Sequence, residues 1–474
     1  MTLDVKPTTG DTGWFQHDRF GLFIHWGLYA MAARHEWVKS RERVSEEHYE
    51  KYFKYFDPDL YDPQRWAEAA SHAGMKYFVI TTKHHEGFCL WDSKLTDYKA
   101  PNTPAKRDLL RPMVEAFRGQ GMRVGFYHSL IDWHHPDYVV DYPIHPRREA
   151  LPPGTNLPVH RGEPNQSREY HEGVDVNEGR DQGRYADYLH GQVRELLTEF
   201  GDVDILWFDF SYLRDLERHA RTDFEFNKGR EAWKSERLLE MIRELAPKVI
   251  LNDRLDLPED TPEYMDVKTP EQFQPREWVR VNGQPVVWEV CQTFSGSWGY
   301  HRDESSWRSS RQLIQTLIDC VSKGGNLLLN VGPTGRGEFD VRALDRLDAI
   351  GRWMHHHDRS IYGCTQAPAE FATPHDARLT YDPQRKLLFV HLFSWPYKNL
   401  VLSGKAYLDR LDYAQLLHDG SEVGLARFEA GDNPAGHTQF NAGEDAVVVQ
   451  LPQTEPGVEV PVVEERVVVR RVEV

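Results

Sequence analysis

Short apolar runs rich in β-branched and aromatic residues recur eight times before residue 332, with amphipathic stretches between them. The runs lie at 20–25 (FGLFIH), 77–82 (YFVITT), 123–128 (RVGFYH) and 204–210 (DILWFDF). They continue at 248–253 (KVILND), 264–268 (YMDVK), 285–291 (PVVWEVC) and 326–331 (NLLLNV). Their length and composition suit buried strands. Segments 62–74, 108–119, 182–200, 230–246 and 306–323 instead space apolar residues three and four apart, as Leu238, Leu239, Ile242 and Leu245 do. That is the period of a helix with one buried face. A helix returning the chain between strands makes those strands parallel. Eight repeats therefore predict an α/β fold of the (β/α)8, TIM-like barrel type. The Pro- and Arg-rich stretch 134–181 after the third run reads as a long active-site loop.

From about residue 360 the pattern changes. The segments 386–393 (KLLFVHLF), 446–451 (AVVVQL) and 458–474 are short and β-branched, separated by Gly, Pro and Asp turns. Only 407–417 shows a weak helical period. This predicts a C-terminal β-sandwich, with a barrel domain over 1–358 and the sandwich over 359–474.

Charge narrows the function classes. With 74 Asp+Glu against 57 Lys+Arg the formal net charge is −17, and the largest basic clusters are the pairs Arg147-Arg148 and Arg470-Arg471. A nucleic-acid partner needs a basic face, so none is expected. No run approaches the ~18 apolar residues of a membrane span. The first residues, MTLDVKPTTGDTGWF, lack the basic start and apolar stretch of a secretory signal, so a cytoplasmic location is expected. Cys89, Cys291, Cys320 and Cys364 follow no Cys-x-x-Cys spacing and are expected as buried thiols. The 14 Trp suit a site that stacks on the C–H faces of a sugar.

Barrel enzymes carry their chemistry at the C-terminal ends of the strands. Here those ends read His25-Trp26-Gly27, Lys83-His84-His85-Glu86, Tyr127-His128-Ser129, Trp207-Phe208-Asp209, Asn252-Asp253-Arg254, Thr269-Pro270-Glu271, Trp288-Glu289 and Asn330-Val331-Gly332. Side chains alternate along a strand. Ile205, Trp207 and Asp209 therefore share one face and Leu206, Phe208 and Phe210 the other. The all-apolar set suits packing on helices, which turns Asp209 towards the barrel mouth. A carboxylate among aromatics needs a partner or a task. Arg254 on the neighbouring strand is the partner parity suggests. Glycoside hydrolysis requires two carboxyl groups, and Glu271, Glu289, Glu36 and Asp253 are candidates for the second. Glu271 follows Pro270 in a loop and is free to reach over a pocket. Glu289 lies within its run, better placed to organise a site.

These residues carry a resemblance to the α-L-fucosidases of glycoside hydrolase family 29. The matching stretches are WFQHDRFGLFIHWG, HEWV, AGMKYFVITTKHHEGFCLWDS, YHSLIDW, DILWFDF, ILNDR, TPEQF, VVWEVCQTFSGSWGY and NLLLNVGPTGRG, spread from Trp14 to Gly337. The resemblance implies a retaining exo-hydrolase that releases terminal α-L-fucose from fucosylated oligosaccharides or glycoconjugates. It implies no metal and no cofactor in the chemistry. The family's nucleophile falls on Asp209 and its sugar-binding histidines on His25, His84 and His85. Its Glu-Trp pair falls on Glu36 and Trp37, its tyrosine on Tyr127 and its arginine on Arg254. The acid/base position varies within the family. TPEQ points to Glu271, with Glu289 in reserve. Where the family often has two tyrosines, this chain has Tyr127-His128.

A fucose pocket should pair hydrogen-bond donors with an apolar wall for the C5 methyl, and Trp207, Phe88 or Trp298 are the candidates for that wall. Competing readings are a barrel glycosidase for another sugar, such as a β-galactosidase, and a carbohydrate-binding protein on a decayed barrel. The second has no need of two facing carboxylates. His84-His85-Glu86 and His134-His135-x-Asp137 have metal-ligand chemistry but lack the alternate-residue histidine pair on the first strand. His355-His356-His357 reads as a solvated helix end. A homo-oligomer is compatible with the sequence.

Overall fold

The computed structural model describes residues 4–140, 146, 177–211, 228–259, 261, 264–431 and 445–467. Seven of the strands form one curled parallel sheet: β1 (Phe20–Ile24), β2 (Tyr77–Lys83), β3 (Arg123–Ser129), β4 (Ile205–Asp209), β5 (Ile250–Leu251), β6 (Glu289–Thr293) and β7 (Asn326–Val331). Their order is β5-β4-β3-β2-β1-β7-β6. The helices between them include α1 (Pro63–His72), α2 (Leu110–Gly119), α3 (Gln182–Glu199), α4 (Ser235–Leu245) and α5 (Ser310–Val321), with α6 (Val341–His357) after β7. Local signals set their starts. Asp62 and Asp181 accept backbone N–H bonds at the heads of α1 and α3, and Ser309 with Gln312 forms a capping box on α5.

The alternation along each strand sorts the two cores. Leu206 and Phe208 join the large cluster under the helices, while Ile205 and Trp207 join the inner cluster with Phe23, Tyr127 and Leu328. Gly21 is needed for close approach, because a Cβ there would sit 2.2 Å from the Tyr77 ring.

Three runs depart from the sequence expectation. The 248–253 run pairs only through Ile250 and Leu251, but Asn252 extends the ladder with its side chain: Oδ1 accepts from Phe208 N and Nδ2 donates to Phe208 O. The 264–268 run forms no ladder. Val267 and Lys268 make single parallel bridges to Asn252 and Trp288. The 285–291 run pairs late, since β6 begins at Glu289 rather than ending near it.

The C-terminal part holds two antiparallel sheets, an arrangement of sandwich type. The larger contains β8 (Thr365–Gln366), β9 (Ala377–Asp382), β10 (Leu387–Leu392), β12 (Leu411–Leu416) and β15 (Val462–Val467). The smaller contains β11 (Asn399–Ser403), β13 (Gly424–Phe428) and β14 (Ala446–Gln450). Leu388 and Val463 of the first pack with Leu402 and Val447 of the second in one cluster. The other face of the larger sheet, through Leu387 and Phe389, joins the main core. The Trp353 indole donates to Val460 O at 2.9 Å, and Arg378 pairs with Asp319 of α5 at 2.7 Å.

The histidine triplet is only partly solvated. His355 and His356 are exposed, while His357 is buried against Trp353, because α6 turns that position inward. The long insertion lies outside the described residues over 141–145 and 147–176; its flanks meet where Asn177 accepts from Val140 N at 2.7 Å. Among the described residues no helix is long and apolar enough to cross a membrane.

Candidate active site

Asp209 is the last residue of β4, opposite Ser129 in the ladder with β3. The Arg254 guanidinium donates to its Oδ1 at 2.8 Å and the Tyr127 hydroxyl to its Oδ2 at 2.9 Å. Arg254 arrives there because Asn252, locked onto Phe208, carries the β4 register one residue past the short β5, two residues before Arg254. A second arm of the same guanidinium donates to Glu271 Oε2, also at 2.8 Å, and its plane lies over the Trp207 ring. One cation thus holds two carboxylates. Burial pushes the Asp209 carboxyl up from its ordinary value, opposed by Arg254, and Glu271 adds to the rise. Burial opposes the charge on Arg254, yet Asp209 and its other anionic neighbours more than restore it, so the guanidinium stays charged. Phe210, directly after Asp209, takes φ +81, a left-handed conformation that costs energy for a bulky side chain and is held at the pocket wall.

Neutral imidazoles line the other side. Burial drives His25 down to about 3, and holds His84 and His85 well below the usual histidine value. His85 Nδ1 meets Ser129 Oγ at 2.7 Å, and that hydroxyl donates to Ile131 O, so Nδ1 carries the proton. His85 Nε2, 3.8 Å from Asp209 Oδ2, is therefore a lone-pair nitrogen and not half of an ion pair. His25 Nδ1 donates to Asn330 Oδ1 at 2.6 Å. Asn330 Nδ2 in turn donates to Trp298 O at 2.7 Å. Among the described residues the buried His84 Nδ1 and Trp207 Nε1 have no hydrogen-bond partner. Both side chains line the pocket, where a polyol would supply acceptors and donors.

The structure gathers Asp209, Glu271, Arg254, Trp207 and Tyr127 with His25, His84, His85, Trp37 and Trp298 around one cavity. Four sequence candidates fall elsewhere. Glu36 is buried behind the wall, where its Oε2 accepts from Gly299 N at 2.8 Å and Trp298 N at 3.2 Å, so it holds the Trp298 loop. Glu289, at the start of β6, accepts from Tyr77 OH at 2.9 Å beside Asn326, the first residue of β7. That is the N-terminal end of the sheet, opposite Asp209, which removes it as a reserve acid/base; the late start of β6 is the reason. Burial raises its carboxyl to about 8. Phe88 packs outside the sheet with Phe53, Phe56 and Tyr98 and forms no part of the wall. Asp253 is occupied by Lys268 and Thr269. The sequence reading missed Phe23, Phe210 and Cys291 as lining residues and Asn330 as an organiser. Phe23 shares its strand face with His25, a parity signal available beforehand. Among the described residues no group of three or more His, Cys, Asp or Glu has the arrangement of a metal site.

The sequence profile of the α-L-fucosidase family matches residues 4–359. The chain belongs to the α-L-fucosidase family, glycoside hydrolase family 29. Its similarity to solved fucosidases extends beyond the matched part. α-L-Fucosidase isoenzyme 1 from Paenibacillus thiaminolyticus is 41% identical, with 96% of this chain and 98% of that one covered and a TM-score of 0.81. A family 29 enzyme from Bacteroides thetaiotaomicron, described as a trapped covalent intermediate with 2-fluoro-fucosyl fluoride in a glutamate-to-glutamine mutant, is 26% identical. It covers 99% of this chain and 100% of its own, with a TM-score of 0.76. Human plasma α-L-fucosidase is 25% identical over 93% of this chain and 85% of its own length.

Proposed function

We propose that the protein is a retaining exo-glycosidase that releases terminal α-L-fucose from fucosylated glycans by double displacement. The observation that carries this reading is the pair of carboxylates, Asp209 and Glu271, held by the single guanidinium of Arg254 at the mouth of one pocket. Asp209, kept anionic by Arg254 and Tyr127, attacks the anomeric carbon as the bond to the leaving oxygen breaks. Glu271, 39% exposed at the mouth, delivers its proton to that oxygen. It then takes a proton from water, whose oxygen attacks the anomeric carbon, releasing fucose and regenerating Asp209. The neutral His25, His84 and His85 bind sugar hydroxyls without adding charge, and Trp298 with Trp207 and Phe23 offers the methyl group an apolar wall. The covalent intermediate described for the Bacteroides relative supports this course. Retention also expects the two carboxyl groups about 5–5.5 Å apart.

We read the sheet as a full (β/α)8 barrel, closed by the single bridges of 264–272, with the domain boundary at 358/359. The four free, buried cysteines suit a reducing compartment and hence the cytoplasm.

The test is nitrophenol release from 4-nitrophenyl α-L-fucoside by wild type and Asp209→Gly, with and without azide. Loss of activity in the variant, restored with formation of β-fucosyl azide, supports both sugar and nucleophile. Full activity in Asp209→Gly refutes the nucleophile. A wild type inert on fucoside but active on another aryl glycoside refutes the substrate.

A further inference from the structure

The segment 33–37 is zipped to the segment 298–302. Ala33 O accepts from Arg302 N at 3.1 Å, Arg34 makes a single antiparallel bridge to His301, and Glu36 accepts from Trp298 N and Gly299 N. Arg34 is pinned further by a fork of two hydrogen bonds to Glu42, at 2.7 and 2.8 Å. Between the fixed Arg34 and Glu36, His35 takes φ +110, a conformation that side chains avoid and that persists only where the surroundings dictate it. Its Nδ1 accepts the Trp37 backbone N–H at 3.0 Å. Burial, with the charges of Arg41 and His301, pushes this imidazole down to about 4, so it is neutral and able to accept. Trp37 carries the arrangement into the cavity. Its ring lies edge-on to His85 at 4.9 Å and to Trp133 at 5.2 Å, and tilted against Phe210 at 5.4 Å between centroids. Trp37, His85 and Phe210 line the cavity with Asp209, whereas His35 stands behind it. Trp37 O accepts from Ser40 N and Arg41 N at 3.0 and 2.9 Å, so the short helix Val38–Arg41 holds the residue from its other side.

We infer that His35 is a positioning residue: its imidazole latches the Trp37 N–H, and its strained backbone ties that latch to the 298–302 zip, so that the Trp37 indole is set in place before the sugar arrives. The inference rests on the fucosidase reading above and adds a residue that acts on the sugar only through another. The strain is what makes the latch specific. A relaxed backbone at His35 would let the chain leave the zip in another direction and carry Trp37 away from His85 and Phe210. Loss of one partly buried hydrogen bond that orders a pocket wall corresponds to about fivefold to tenfold in affinity.

The experiment compares His35→Asn with His35→Gly. Asn places Oδ1 where the imidazole holds Nδ1 and tolerates positive φ, so it keeps the latch. Gly adopts the backbone without strain but has no acceptor. Affinity for 1-deoxyfuconojirimycin, measured by calorimetry, should fall about fivefold to tenfold in His35→Gly and stay within about threefold of wild type in His35→Asn. The kcat/KM for 4-nitrophenyl α-L-fucoside should fall in the same order, with urea unfolding to verify that both variants fold. Hydrogen exchange of overlapping peptides across 35–41 reads the latch without substrate: the Trp37 amide should be protected in wild type and His35→Asn and exposed in His35→Gly. An unprotected Trp37 amide in wild type overturns the inference. So does His35→Gly binding the iminosugar as tightly as His35→Asn, whether both keep wild-type affinity or both lose it, and either result leaves the fucosidase reading standing. A wild type that neither hydrolyses the fucoside nor binds the iminosugar overturns the fucosidase reading and this inference with it.

Discussion

Replacing Arg254 by Met keeps a stem of similar length and removes a charge that contacts both carboxylates. The pair distance to Asp209 is 2.8 Å, with side-chain exposures of 20% and 13%. For a pair partly open to solvent, an effective dielectric of about 40–80 gives ~1.5–3 kcal/mol for that contact, or about 1–2 units of pKa. The sign follows from the charge. Arg254 favours the Asp209 anion, so its loss moves that carboxyl further above its ordinary value, adding to the rise already caused by burial. Attack requires the anion, and kcat/KM on the acid side tracks the fraction of free enzyme in which it exists. The acid limb of the kcat/KM profile for 4-nitrophenyl α-L-fucoside should therefore move up by about 1–2 pH units in Arg254→Met. Rates taken at low substrate across about pH 4 to 8, with circular dichroism at each pH to verify folding, make the measurement. A profile scaled down equally at every pH, with its acid limb in place, refutes the reasoning and leaves Arg254 as a substrate contact only.

Glu36→Ala strips the acceptor from Trp298 N and Gly299 N, two charge-assisted hydrogen bonds together worth about 3 kcal/mol. The variant should bind a fucose-shaped iminosugar about tenfold or more weakly by calorimetry; unchanged affinity counts against its role in holding the Trp298 loop. Glu271→Gln should lose most hydrolysis of natural glycosides while Glu289→Gln keeps it, and equal losses in the two would return Glu289 to the site. Glu289→Gln also has a stability signature. The folded carboxyl titrates at about 8 against an ordinary 4.5, so between those values the folded state holds a proton that the unfolded state has released. Wild-type stability from this group falls as pH rises through that window and levels above it, whereas Gln carries no such dependence. The variant's stability relative to wild type should rise by about 3.5 kcal/mol from pH 5 to pH 8 in urea unfolding, and a flat difference would contradict the raised titration of this buried carboxyl.

Alternation alone placed Asp209. Ile205, Trp207 and Asp209 on one face and Leu206 with Phe208 on the other is a period-two pattern that needs no tertiary information, and the two clusters divide as that parity requires. The same logic put Arg254 beside Asp209, and the helical period located α1 to α5 to within a few residues. Strand ends were another matter. Where pairing begins is set by the neighbouring strand, and PVVWEVC reads as one run although its ladder starts at Glu289. That difference of register sends Glu289 to the far end of the sheet and leaves Glu271 beside Arg254, which also holds Asp209. Glu36 shows the second limit: its motif was legible, but its partners, Trp298 and Gly299, lie more than 260 residues away in the chain. Gly332 allows that approach, since a Cβ there would come within 2.5 Å of Gly299 and Tyr300 backbone atoms. Residue type and local period determined which face each side chain takes and which chemistry the strand ends can offer. Only the closed packing of distant segments decided which of those groups share a cavity, because a pocket is a relation between chain segments that no local pattern encodes.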